Sequence, residues 1–155
     1  MNPDNEIQLS TNEAFGKMLL FMRQYPHICY ANWPLPALAN WLAWCCANDA
    51  LRFTFAPGPN GFEVTGLAVY WRMRSKDWHH KHFLDQPWQF ALQKHDGDGI
   101  YLDMILARPG TVGILVADGQ WRNPEWRGLK FAAKRHGKLK EYHSAEKFFA
   151  RLEGL

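Results

Sequence analysis

The feature that most constrains this chain is Ile100 to Ala107, a continuous apolar run of strand length that holds a single charge, Asp103. A run that is apolar at both alternating sets of positions fits a central strand covered on both faces. Punctuation brackets it. His95-Asp96-Gly97-Asp98-Gly99 reads as a turn feeding the strand, and Arg108-Pro109-Gly110-Thr111-Val112-Gly113 supplies the Pro and Gly that break it. Thr111 is a candidate N-cap for a helix over 111–117, with Gly119 as its stop. Backbone N–H groups at such a helix start can hold an anion, and glycine lets a ligand come close to the backbone. A strand that delivers one carboxylate and then an anion-accepting turn is a candidate active-site edge.

The remaining elements follow from local signals. Ser10-Thr11-Asn12-Glu13 is a capping box ahead of Phe15, Met18, Leu19 and Met22, predicting a helix over 11–24. Tyr25-Pro26 ends it. Asn32-Trp33-Pro34-Leu35-Pro36 opens a second helix running to about Asn48, apolar on nearly every side and therefore expected to be well buried. Alternation over 51–56 and 62–74 predicts an antiparallel hairpin, and Pro57 and Pro59 predict a loop longer than two residues. A short helix is expected over 83–93, a loop with one helical turn over 121–128, and a second hairpin from 129–134 and 138–142. Ser144 is placed to cap a final amphipathic helix to about Leu152. This order predicts a mixed, mostly antiparallel α/β sheet with helices on both faces and one strand-helix-strand crossover between residues 100 and 134.

With 155 residues the simplest organisation is one domain spanning 1–155, large enough to fold on its own core. Eight Trp are more than an inert domain of this size needs, so some aromatics are expected to line a pocket or a partner surface. The longest strongly apolar stretch falls well short of a membrane span, and the first residues are acidic and polar where a signal peptide is basic. A cytoplasmic protein is the expectation. Cys29, Cys45 and Cys46 are odd in number and lack a Cys-x-x-Cys spacing, which reads as reduced, buried thiols. Residues 1–50 carry four acids and two bases, whereas 121–155 carry nine bases and four acids, so the C-terminal end can meet an acidic partner.

Several short motifs, in order along most of the chain, resemble the GNAT acyltransferase superfamily, and within it the toxin-activating lysine acyltransferases that acylate haemolysin-type protoxins. Asn32-Trp33-Pro34 is similar to an Asn-Trp-Pro of those enzymes, and Tyr101-Leu102-Asp103-Met104-Ile105 to their aromatic-Ile-Asp-Trp-Ile strand. Ala107-x-x-Gly110-x-x-Gly113-x-Leu115 resembles their turn and helix start, and Leu129-Lys130-Phe131 and Gly137 to Tyr142 resemble their last two strands. The resemblance implies a GNAT-like fold and transfer of an acyl group from acyl carrier protein, or from acyl-CoA as in the wider superfamily, to a protein lysine or other amine. It implies no permanently bound cofactor. The catalytic pair it implies is Asp103 with a histidine near the Asn-Trp-Pro; read without gaps that position is Tyr30, and His27 is the nearest histidine. Arg108, Gly110, Thr111 and Gly113 are the residues it places at the donor turn. The partners implied are acyl carrier protein and a protein acceptor, and a second copy of the chain is a further candidate.

Each site residue also has a plainer reading. Asp103 can be a buried carboxylate satisfied by structural hydrogen bonds, His27 a loop residue, and the glycines mere turn formers. The alternative function is a non-catalytic interaction protein of the same fold, such as a phage- or prophage-associated component. Asp77-Trp78-His79-His80-Lys81-His82 suggests a metal, but adjacent histidines on a strand do not share a face and no matching cluster stands elsewhere, so no metal site is assigned. Trp121, Arg122, Trp126 and Arg127, with the lysines that follow, mix stacking and charge as single-strand binders do. A recognised nucleic-acid motif is missing, so nucleic acid is not an expected partner.

Overall fold

The structure is a computed structural model that describes residues 11–25, 32–59, 61–92, 96–111 and 124–148. Two helices, α1 (Thr11–Arg23) and α2 (Leu35–Ala47), precede five strands: β1 (Leu51–Gly58), β2 (Gly61–Met73), β3 (Gly99–Ala107), β4 (Lys130–Arg135) and β5 (Lys138–Tyr142). The strands form one sheet in the order β1-β2-β3-β4-β5. Every neighbouring pair is antiparallel except β3 and β4, which run parallel. The expected mixed α/β sheet is therefore present, with Gly99–Ala107 as its middle strand.

One face of the sheet packs against α1 and α2. Met18, Phe21 and Met22 of α1 and Leu38, Trp41, Leu42 and Cys45 of α2 meet Leu67, Val69, Trp71, Met73, Tyr101, Met104 and Leu106 in one core cluster. The opposite face holds Ala68, Tyr70, Ile100, Leu102, Phe131 and Ala133 against Trp126, Ala145 and Phe148. Phe131 and Phe148 stack at 4.1 Å between ring centres. Covering on both faces is why β3 needs an unbroken apolar sequence. The Ser144 cap is formed, since its hydroxyl accepts from the Lys147 N–H at 3.3 Å and residues 145–148 are helical.

Four expectations are corrected. Helix α2 is not buried all round: Leu38, Trp41, Leu42 and Cys45 form the inward stripe at helical spacing, while Leu35 and Trp44 are exposed. The β1–β2 connection is also tighter than the prolines imply, because Gly58 pairs with Gly61 and only positions 59 and 60 lie between. An edge strand such as β1 accepts Pro57 where its missing N–H would face outward. Third, 83–93 holds no α-helix over its described residues; Pro87–Phe90 is a single 3₁₀ turn, with Phe83 and Pro87 buried. Finally, Cys45 is buried as expected but Cys46 is exposed. Residues 112–117 of the predicted helix, Ser10 of the capping box, Cys29 and Trp121 lie outside the described residues, and Thr111 closes a turn after β3.

No helix among the described residues is long and apolar enough to cross a membrane.

Candidate functional site

Asp103 sits at an irregularity in the middle of the sheet. Across β2 and β3, Val69 pairs with Met104 and Tyr70 with Leu102, so Asp103 is an extra residue with no counterpart opposite it. This is a β-bulge. Regular alternation from Tyr101 would put Asp103 on the helix-bearing face and Met104 on the other, yet Met104 and Leu106 also belong to the helix-side core. The bulge lets β3 present the carboxylate to that face and still keep both apolar residues in the core.

The carboxylate is half-buried, and its surroundings are aromatic. The Trp71 indole N–H donates to Asp103 Oδ2 at 2.9 Å. Trp71 is buried and packs against Trp44, their rings 5.4 Å apart and tilted by 37°. Two further groups feel the carboxylate. Burial first, and then the charge of Asp103, push the Cys45 thiol and the Tyr101 phenol well above their ordinary pKa values. Cys45 is thereby kept as an unreactive thiol, since only the thiolate attacks.

Asp103 also marks the place where two strands part. Pairing between β3 and β4 runs from Gly99 with Lys130 to Leu102 with Ala133 and stops there, although β3 continues to Ala107 and β4 to Arg135. Asp103 is the first residue of β3 beyond that pairing. Because the strands are parallel, the tip of the β4–β5 hairpin lies at the same end of the sheet. His136 and Gly137 turn it with positive φ at both positions, as a type I′ turn requires. Lys134, Arg135, Lys138 and Lys140 are exposed there, and among the described residues none of them has an ion-pair partner. Lys140 Nζ lies 5.9 Å from the centre of the Tyr142 ring.

The turn after β3 has local explanations for three of its candidates. The Thr111 N–H donates to the Arg108 carbonyl at 3.0 Å, which closes a four-residue turn with Pro109 and Gly110 in the middle. Proline followed by Gly110 at φ +81° is type II geometry, so this glycine is required by the turn itself. The Thr111 hydroxyl lies 2.7 Å from the Arg108 carbonyl and 3.1 Å from that of Thr65. Arg108 Nη1 donates to Glu63 Oε2 at 2.9 Å. Gly113 and His27 lie outside the described residues.

Other candidates are drawn into different roles. His79 Nε2 is 3.4 Å from Glu141 Oε1, and the His80 ring packs against His82 and Phe90. No group of three metal-binding side chains occurs among the described residues. Trp126 is buried against Tyr70, with ring centres 4.9 Å apart, and so is unavailable for stacking on a base. A small cleft lies between the end of α2 and β2, lined by Asn48, Arg52, Arg72, Glu125 and Trp126 among others, and Asp103 is not part of its lining. Burial lowers the pKa of the Arg72 guanidinium there, opposed by the charges of Glu125 and Asp96.

Sequence reasoning singled out Asp103 and read Cys45 as a buried thiol, but missed Trp71, the influence of Asp103 on Cys45 and the bulge. The only available signal for Trp71 was its position in an alternating strand, which placed it on a face without naming its partner 32 residues away. No protein-family model matches this chain, and no curated protein matches it either.

Proposed function

We propose that this chain is an acyltransferase of GNAT-like architecture, moving an acyl group from a thioester donor to a protein lysine or other amine. The observation that carries the reading is Asp103, a half-buried carboxylate on a bulge of the middle strand, at the point where β3 and β4 separate. A mixed sheet whose one parallel pair flanks that point agrees with the motif order found in the sequence.

In this reaction the amine nitrogen bonds to the thioester carbonyl carbon, the C–S bond breaks, and the amine loses a proton. In the mechanism that the resemblance implies, a histidine, for which His27 is the candidate, takes that proton and Asp103 supports its charged form; the departing thiolate is finally protonated. Acyl carrier protein is the donor favoured by charge. The exposed bases of the β4–β5 hairpin, which have no ion-pair partner among the described residues, lie at the end of the sheet toward which β3 runs beyond Asp103, and an acidic carrier would be steered to them. Acyl-CoA is the other donor to be tested.

A second reading has its own support. The hydrogen bond from Trp71 and the absence of Asp103 from the lining of the cleft both suit a non-catalytic interaction protein, for which the carboxylate is a structural group. Incubation with each donor, followed by native mass spectrometry, separates the two. A donor complex or covalent acyl adduct supports the enzyme, and none with either donor supports the interaction protein.

A further inference from the structure

We propose that Trp71 is a positioning residue for Asp103, its buried indole N–H holding one carboxylate oxygen and so fixing the direction in which the carboxylate is presented. The inference rests on the reading of Asp103 as the catalytic carboxylate, and it adds a residue which that reading did not contain.

The geometry has three parts. Trp71 stands opposite Tyr101 in the β2–β3 register, so Asp103, two residues further along β3, is its diagonal neighbour on the same face. Diagonal pairs are within reach of an aromatic side chain, and the 2.9 Å N···O distance shows the contact made. An indole is a donor only, so its one hydrogen has a single use. The second part is immobility. Trp71 is 2% exposed and lies in the helix-side core, with Trp44 against it, which leaves the indole little freedom to turn away. The third is the bulge, where the backbone of Asp103 lacks a regular partner residue on β2. A carboxylate on a bulge gains orientation from a side-chain anchor that the ladder alone does not supply.

Catalytic groups must be held near their productive geometry by neighbours that are themselves locked by packing. Removing the indole N–H while keeping an aromatic ring tests whether Trp71 does this. In Trp71→Phe the expected result is a fall in kcat of roughly ten- to a hundredfold with KM little changed, in a protein that still folds but melts at a lower temperature than the parent chain. A merely structural tryptophan would alter stability without that split. The second measurement needs no Trp71 variant. In the parent chain the indole ¹H–¹⁵N resonance of Trp71, followed as pH is lowered from neutral, is expected to respond to protonation of the carboxylate it is bonded to, and this response is lost in Asp103→Asn.

The outcomes are distinguishable. Transfer by the parent chain, with a folded Trp71→Phe that keeps full kcat, overturns the positioning role and leaves the acyltransferase reading standing. If Trp71→Phe does not fold, an indole resonance that ignores Asp103 overturns the role and one that follows it supports it. Absence of acyl transfer by the parent chain with every donor overturns the acyltransferase reading and the inference with it.

Discussion

The Trp71 indole nitrogen lies 2.9 Å from Asp103 Oδ2, a hydrogen bond between a buried side chain of β2 and the unmatched residue of β3. Each partner depends on the other. Asp103→Ala leaves a buried N–H without its acceptor and is expected to cost about 1–3 kcal/mol of stability. Asp103→Asn keeps an oxygen at that place and is expected to cost less. Urea unfolding of the two variants checks the order; equal loss, or none, contradicts it.

Asp98 ties the segment after β2 back to the sheet. Its carboxylate accepts from the Ser75 backbone N–H at 2.8 Å and the Ser75 hydroxyl at 2.7 Å, with Lys130 Nζ 3.8 Å away. These contacts, the backbone N–H first, hold its pKa below the usual carboxylate value. A depressed folded pKa gives stability that is complete above the unfolded value of about 3.9 and is lost as pH falls through the lower folded value. The group is exposed, so the effect is small. Melting temperature measured against pH is expected to fall less steeply on the acid side for Asp98→Asn than for the parent chain. An unchanged slope contradicts the assignment.

Two glycines with positive φ should respond differently to alanine. At Gly97, φ +83°, an added Cβ would lie 2.6 Å from the Met73 carbonyl carbon, whereas at Gly110, φ +81°, it would meet nothing within 4 Å. Gly110→Ala bears only the left-handed backbone cost, about 1 kcal/mol. Gly97→Ala adds a clash with rigid backbone and is expected to cost about 3 kcal/mol. Chemical denaturation of both proteins tests the ranking.

The hairpin bases make a separate prediction. Lys138→Glu with Lys140→Glu reverses two exposed charges, neither of which has an ion-pair partner among the described residues, so stability should change little. Association with acyl carrier protein should slow about tenfold at low salt, with the difference shrinking as salt is raised. Surface plasmon resonance across a salt series measures this. Identical on-rates at low salt contradict the docking role of the hairpin.

Much of the sheet was legible because its signals are local. Alternation over 62–74 marked β2, Arg135-His136-Gly137 marked the turn of the second hairpin, which the structure narrows to His136 and Gly137, and the apolar run to Ala107 announced a strand covered on both faces. That same run hid the bulge. Apolar residues stand on both sides of Asp103, so the placing of Asp103 and Met104 in succession on one face breaks no visible pattern. Helix α2 misled for a related reason: Leu35 and Trp44 are apolar yet exposed, and sequence cannot say which side of a uniformly apolar helix meets the core. Phe83 and Pro87 look like parts of an amphipathic helix, but both are buried from a chain of short turns. The partner of Trp71 depends on the long-range register of β2 against β3, which no spacing rule supplies.

The most direct test of the acyltransferase reading is native mass spectrometry of the parent chain and of Asp103→Asn with acyl carrier protein thioesters and acyl-CoA of several chain lengths, in the presence of an amine acceptor. The account predicts a complex or acyl adduct with one donor class and acyl transfer to the amine, with transfer lost in a folded Asp103→Asn. Absence of binding, adduct and transfer with both donors across all chain lengths would contradict it, and would leave the interaction protein as the better description of this fold.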